Sequence, residues 1–223
     1  MKIQGVISDM DGVILDSEKL YVRFWCEAGR FYGFPMEEKH ALSIRSMARP
    51  LASAKLKGIF GDGFDYEAVR SKRVELMDNY VEKNGIEVKS GAKELLSFLK
   101  EKGYKVALAT ATPPQRAERY LKAHDLYKYF DVTVSASMVS VGKPAPDIYL
   151  KAAEMLGLSP QSCVALEDSP NGIKSASSAG CVTVMVPDLD KPSNDIIPLL
   201  HGVADGLSDV KRILRELEDC NIQ

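Results

Sequence analysis

In the second half of the chain short apolar runs alternate with amphipathic stretches, and this alternation limits the available folds more than any other feature. Residues 104–110 (YKVALAT), 131–136 (DVTVSA), 163–167 (CVALE) and 181–186 (CVTVMV) read as strands by length and β-branched content. Residues 92–103, 113–126, 146–157 and 169–180 carry helical periodicity, and several close on Gly, a frequent helix C-terminal residue. Such alternation predicts a parallel sheet with helices on both faces, an α/β, doubly wound, Rossmann-like fold. One further run near the N-terminus, residues 2–8 (KIQGVIS), supplies another strand.

Residues 16–88 break the rhythm. The stretches SEKLYVRFWCEAGRFYG, MEEKHALSIRSMARPLASAKLKG and DYEAVRSKRVELMDNYVEKNG are helical in period, with no good strand between them. Because one strand precedes this interval and the others follow it, chain from both sides of an insert completes the sheet. The expected organisation is a Rossmann-like core of residues 1–15 and 89–223, with a small helical-bundle domain of residues 16–88 inserted after the first strand.

Composition narrows the function. The 223 residues, 45% hydrophobic, suffice for a sizeable core plus a small insert. Lys and Arg total 29 against 31 for Asp and Glu, a net charge of −2 with no long basic block, so nucleic acid is not an expected partner. No apolar run approaches a bilayer-spanning length and the N-terminus has no secretory pattern, so a cytoplasmic protein without membrane contact is expected, taken as a monomer. Cys26, Cys163, Cys181 and Cys220 have no CxxC spacing and are read as reduced and not metal-binding.

The stretch GVISDMDGVILDSE places Asp9 and Asp11 one residue apart at the end of the first strand. If the strand continues extended, both carboxylates point to one side and converge, which like charges resist unless something positive sits there. The same fragment is also an ordinary polar strand exit with a D-G turn. Glu167 and Asp168 end another strand, just ahead of Ser169 and Pro170, which suit the N-cap and first position of a helix. Ligands of open α/β sheets gather at the carboxyl ends of strands, so these acids and the Asp9 pair are placed to share a crevice. A hard divalent cation such as Mg²⁺ answers such an oxygen-rich cluster, although an acid at a helix N-terminus is also favoured by the helix dipole. Thr110 ends a strand and Thr112 precedes Pro113 at a helix start, a place suited either to a phosphate oxygen or to a plain N-cap. Lys143 lies in a Gly-Pro loop before a helix, able to screen a phosphoryl group or simply to be a solvated turn residue.

Taken in order, Asp9-Met10-Asp11-Gly12-Val13, Thr110, Gly142-Lys143-Pro144 and Glu167-Asp168-Ser169-Pro170-Asn171-Gly172 resemble the motifs of the haloacid dehalogenase superfamily of phosphotransferases. The helical insert looks like the small cap of the subfamily containing β-phosphoglucomutase and many sugar-phosphate and nucleotide phosphatases. The resemblance implies a sheet with its first strand central, flanked by the second and fourth. It further implies Asp9 as a nucleophile that forms an aspartyl-phosphate and Asp11 as general acid/base, with Thr110 and Lys143 on the phosphoryl group. Mg²⁺ would be held by the Asp9 carboxylate, the Asp11 backbone carbonyl and Asp168, with Glu167 behind the ligands. Ser8 departs from the aromatic residue common in the family, a difference expected to touch packing rather than chemistry.

The cap is expected to select the substrate, a small phosphorylated metabolite. Arg45 and Arg49, read as i and i+4 on one helical face, and nearby Lys55 and Lys57 are candidates for a distal polar group, or a solvated basic face. Tyr21 and Trp25, four apart, either line the cleft or pack the cap, with packing favoured for Trp25. The mutase pattern carries a His where this chain has Tyr21, so the resemblance points to a Mg²⁺-dependent phosphatase, probed against a β-phosphoglucomutase-type phosphohexomutase. A non-catalytic phosphate- or metal-binding module is disfavoured by the intact Asp9, Asp11, Lys143 and Asp168. Asp16 and Ser17 on one crossing and residues 88–91 on the other are the expected hinges of a moving cap.

Overall fold

The computed structural model describes residues 2–219. Its centre is a parallel sheet built from β1 (Gly5–Ser8), β2 (Lys105–Thr110), β3 (Val132–Ser135), β4 (Cys163–Glu167), β5 (Val182–Met185) and β6 (Gly202–Val203), in the order β3-β2-β1-β4-β5-β6. Before β2 lie α1 (Glu18–Phe31), α2 (Glu38–Leu42), α3 (Arg49–Phe60), α4 (Tyr66–Asn84) and α5 (Ala92–Glu101). After it come α6 (Pro114–Ala123), α7 (Asp147–Leu156), α8 (Pro170–Ser178) and α9 (Val210–Asp219). The expected α/β doubly wound architecture is borne out, with β1 central between β2 and β4.

Alternation along each strand sorts the core into two layers. Val6, Val106, Leu108, Val164 and Leu166 face one cluster, which takes Leu95, Leu96 and Leu99 of α5, Leu121 of α6, and Ile213 and Leu214 of α9. The intervening Ile7, Ala107, Ala109 and Ala165 face the other, against Ile148, Tyr149, Ala152 and Ala153 of α7. Small residues on this second face let α7 lie close to the sheet, which carries Tyr149 to the strand ends.

Two differences from the sequence reading have local causes. The first strand is shorter than residues 2–8, although Gln4 still bonds across to Ser162 and Lys105 at 2.8 and 3.0 Å. The short edge strand β6 was not anticipated: two residues, one of them Gly, carry no alternation to read. Among the described residues no helix is long and apolar enough to cross a membrane. Cys26, Cys163 and Cys181 are free and buried, while Cys220 lies outside the described residues.

Between β1 and β2 the helical segment has its own apolar cluster, in which Val22, Trp25 and Ala28 of α1 meet Leu56 of α3 and Tyr66 and Val69 of α4. Asp65 caps α4 by accepting from the Ala68 amide at 3.0 Å. The two chain crossings run side by side: Asp16 N–H donates to Glu87 O and Lys89 N–H to Ile14 O, both at 2.9 Å. The middle stretch is not one helix as its composition suggested. It breaks at residues 43–48, between α2 and α3, where Ser46 adopts a positive φ of 51°.

Candidate active site

Parallel pairing brings the chemical residues together. Because β1 lies between β2 and β4, the residue after its last, Asp9, stands between Thr110 at the end of β2 and Glu167–Asp168 at the end of β4. The Asp9 amide extends the ladder by donating to Leu166 O at 2.9 Å. Ser8, buried, turns its hydroxyl onto the Asp9 carbonyl at 2.7 Å.

Lys143 ties this end of the sheet together. It sits in the loop before α7, preceding a cis Pro144, and its Nζ donates to Asp9 Oδ1 and Glu167 Oε1, both at 2.6 Å, and to Ala109 O at 3.1 Å. Burial works against its charge, but Asp9 and Glu167 outweigh burial and hold the ammonium above the usual lysine range. It is therefore no solvated turn lysine. Tyr149 OH adds a 2.6 Å bond to the same Glu167 oxygen, and the other Glu167 oxygen accepts from the Asp168 amide and the Ser169 hydroxyl at 3.2 and 3.3 Å. The Glu167 carboxylate is thus largely occupied by protein donors.

The two aspartates do not converge as a continued strand would make them, because β1 ends at Ser8 and the chain turns. Ile14 N–H and Leu15 N–H both bond back to Met10 O at 2.9 Å, and Gly12 takes a φ of 83° where a Cβ would overlap the Asp168 carboxylate. Asp9 then faces Lys143. Asp11 faces Ser17 Oγ at 2.6 Å and Thr112 Oγ1 at 2.8 Å, with Thr110 Oγ1 farther off at 3.4 Å. Burial pushes the Asp11 carboxyl upward while the Ser17 and Thr112 hydroxyls pull it down. Thr112 is not an N-cap: Pro113 holds that position on α6, and the Thr112 hydroxyl is spent on Asp11.

Asp9, Glu167 and Asp168 each offer an oxygen within 4.8 Å of the others. Asp168 is fully buried, with Oδ1 lacking any hydrogen-bond partner, and burial raises its carboxyl well above the usual range despite Arg45. An orphaned, buried carboxylate oxygen among hard oxygen donors fits a small divalent cation. Ser169 and Pro170 occupy the expected N-cap and first position of α8, the Ser169 hydroxyl accepting from Gly172 N–H at 3.1 Å.

From the helical segment Arg45 reaches into this cluster. It leaves the turn between α2 and α3 and pairs with Asp168, with Glu18 at 3.2 Å and with Asp190 at 3.1 Å, while its carbonyl accepts from Asn171 at 2.8 Å. Burial lifts Glu18 to about 7, with Arg45 opposing. Arg45 and Arg49 therefore do not share a helical face: Arg45 is buried in a turn, whereas Arg49 opens α3, exposed at the mouth of the cleft. Lys55 bonds Ser43 O at 2.8 Å, and neither it nor Lys57 lines the cleft. Tyr21 OH lies 3.2 Å from Thr112 Oγ1, and burial followed by the Asp11 charge pushes its phenol up. Trp25 both packs on Tyr66, ring centroids 5.6 Å apart, and lines the cleft.

Comparison with known proteins agrees with this geometry. Residues 3–180 match the model of the haloacid dehalogenase-like hydrolases. The chain belongs to that family. A phosphorylated carbohydrates phosphatase from Thermotoga maritima is 34% identical over 220 residues, covering 95% of this chain and 90% of its own. Hexitol phosphatase A of Escherichia coli is 32% identical over 207 residues, covering 91% and 93%. The crystal structure of β-phosphoglucomutase from Clostridium difficile superposes with a TM-score of 0.80, covering 96% and 98%, and at 21% identity it shows the shared fold alone. The expected class, a haloacid dehalogenase-like phosphohydrolase, is borne out.

In this family member the structure brings Asp9, Asp11, Thr110, Lys143, Glu167, Asp168 and Arg45 to one end of the sheet, where Asp9, Asp11 and Arg45 line a cleft and the others are buried beside it. The structure gives Ser17 and Thr112 a part other than the hinge and the phosphate site or N-cap expected of them, and adds Tyr149, Arg70, Arg73 and Arg116, for which the sequence suggested none. Ser17 and Thr112 hold Asp11, Tyr149 holds Glu167, and Arg70, Arg73 and Arg116 line the cleft wall. Of the added residues, Arg73 left a signal in the sequence: it interrupts the inward stripe Tyr66, Val69, Met77 of α4, where an apolar residue would be expected.

Proposed function

We propose that this hydrolase is a phosphatase of small phosphorylated metabolites of the sugar-phosphate class, acting through a phosphorylated Asp9. The observation that carries the reading is a cleft lined by Asp9 and Asp11, with Asp168 buried within reach of Asp9 and Lys143 bonded at once to Asp9 and Glu167. The phosphatase names of its relatives support it. Residues 1–15 and 89–223 form the catalytic core in this reading, and residues 16–88 a cap over it.

The Asp9 carboxylate attacks phosphorus as the bond to the leaving oxygen breaks, with Asp11 giving that oxygen its proton. Burial, which raises the Asp11 carboxyl, favours the protonated form needed for this step. Asp11, now ionised, takes a proton from water as water attacks phosphorus and the Asp9–phosphorus bond breaks. Thr110 and Lys143 hold the phosphoryl oxygens, and Lys143 also keeps Asp9 aimed. The Asp9 and Asp168 carboxylates with the Asp11 carbonyl would hold Mg²⁺, and the orphaned Asp168 oxygen suits that place. When bound, the ion screens the phosphate charge from the Asp9 charge.

The alternative, transfer to a second sugar phosphate, is disfavoured by Tyr21. A buried phenol bonded to Thr112, with its pKa pushed up, is a poorer proton relay than the imidazole of the mutase pattern. Supplying β-glucose 1-phosphate with Mg²⁺ and a catalytic amount of the 1,6-bisphosphate separates the two. Phosphate release without efficient formation of glucose 6-phosphate is expected. Rapid accumulation of glucose 6-phosphate with little free phosphate would make the protein a mutase.

A further inference from the structure

Two arginines on α4 line the cleft, and among the described residues neither is in ion-pair contact with a carboxylate, Asp11 acting on Arg73 only from a greater distance. Arg70 and Arg73 lie three apart on the face that also carries Tyr66 and Met77, so they point the same way. Arg73 is 7% exposed, and its Nε and Nη1 have no hydrogen-bond partner. Of the other cleft arginines, Arg45 is engaged by three acids and Arg116 by Asp78 at 2.8 Å, while Arg49, exposed at the mouth, is in no ion pair among the described residues. Arg70 and Arg73 form no ion pair among the described residues. Burial first, and then Arg49 and Arg73, weaken the hold of Arg70 on its proton; burial and then Arg116 do so for Arg73, with Tyr21 and the more distant Asp11 charge opposing.

A buried, unpaired cation is costly, and an apolar residue in the same stripe would fold more easily. The Arg73 guanidinium lies over the rings of Tyr21 and Trp25, 5.0 and 5.4 Å from their centroids, which offsets part of the cost but satisfies no N–H. A planar guanidinium with free donors is matched by a bidentate oxyanion.

Its place in the cleft says which part of a ligand it would meet. From Asp11 the contacts run to Thr112 at 2.8 Å, from Thr112 to Tyr21 at 3.2 Å, and from Tyr21 to the Arg73 guanidinium. Asp11 is the proposed proton donor to the leaving oxygen, so this wall faces the leaving alcohol. In the proposed mechanism the phosphoryl group itself is served by Lys143, which is bonded to Asp9 rather than to this chain of contacts, and by Thr110.

We propose that Arg70 and Arg73 bind a second oxyanion, a carboxylate or phosphate, on the alcohol portion of the substrate. The preferred substrate is then a phosphorylated sugar acid or a sugar bisphosphate rather than a neutral sugar monophosphate. This rests on the phosphatase reading and narrows it.

The test uses matched pairs with Mg²⁺: 6-phosphogluconate against sorbitol 6-phosphate, and glucose 1,6-bisphosphate against glucose 6-phosphate. The wild-type protein is expected to favour the anionic member of at least one pair by about tenfold or more in kcat/KM, mainly through KM. The pair that shows it identifies carboxylate or phosphate as the group read. Arg73→Met and Arg70→Met should each bring that ratio towards one, and Arg73→Lys should keep part of it. A purely structural arginine would lower both members equally and leave the ratio intact, and that outcome overturns the inference. Arg70 is only half-buried, so its variant keeps the test decisive if Arg73→Met does not fold. Equal wild-type rates within both pairs also overturn it, while leaving the phosphatase reading standing. Absence of phosphate release from all four compounds and from p-nitrophenyl phosphate would sink that reading and the inference together.

Discussion

The sheet and the helical cap contribute to the same cleft by different means. Sheet residues arrive at the site on strand ends whose register is set by backbone pairing, and each is held by several fixed partners. Lys143 has three acceptors, and Glu167 accepts from Lys143, Tyr149 and the Asp168–Ser169 turn. Cap residues arrive from a turn and from one face of a helix, and their positive charges are only partly matched. Rigid preorganisation suits the part of the reaction common to every phosphoryl transfer. Adjustable, incompletely satisfied charge suits the part that differs from one substrate to the next.

The sharpest break of this comparison is at Asp9. Asp9→Asn should lower phosphate release by about a thousandfold or more and abolish phosphoenzyme trapping, with thermal unfolding little changed. Near-wild-type turnover would show that the rigid end of the sheet is not where the chemistry happens. Next in size is the metal. Asp168→Ala should raise the Mg²⁺ concentration for half-maximal activity by about a hundredfold, and Glu167→Gln by about tenfold, since Glu167 acts through its neighbours. The same ordering should appear in direct Mg²⁺ binding by calorimetry. Identical affinities in wild type and Asp168→Ala would remove Asp168 from the ligand set.

Glycines offer a matched pair for stability. A Cβ on Gly172 would fall on the Glu167 carboxylate, so Gly172→Ala should destabilise by about 1–3 kcal/mol. Gly58 lies inside α3 with nothing within 4 Å of a new Cβ, so Gly58→Ala should stabilise by about 0.5–1 kcal/mol. Denaturant midpoints moving in the same direction for both would show that the cap packs as tightly as the core. The smallest effect is expected at the crossing, where exposed Lys19 bridges Asp16 at 2.6 Å and Glu87 at 2.8 Å. Lys19→Met should cost less than about 1 kcal/mol. Small-angle scattering of the wild type should show the cap closing when a phosphate analogue and Mg²⁺ are added. An unchanged profile would count against a moving cap.

Much of this was legible in the order of residues. Period-two and period-3.6 patterns are local properties of the backbone, so the strands β1 to β5, the helices between them and the helical interval after β1 could be read directly. The acids at strand ends could also be placed, because a parallel sheet presents all its carboxyl ends on one edge. Only the tertiary structure decided what those residues do to one another. Strand alternation lapses after Ser8, so Asp9 and Asp11 turn to different partners, and a helix that its composition would have continued breaks to deliver Arg45 to Asp168. Lys143 meets Asp9 across 134 positions of chain, and Thr112 meets Asp11 across 101. No periodicity encodes such separations. They follow from the packing of α7 and α6 against the sheet, where burial makes each unmatched charge costly and so selects which partners meet.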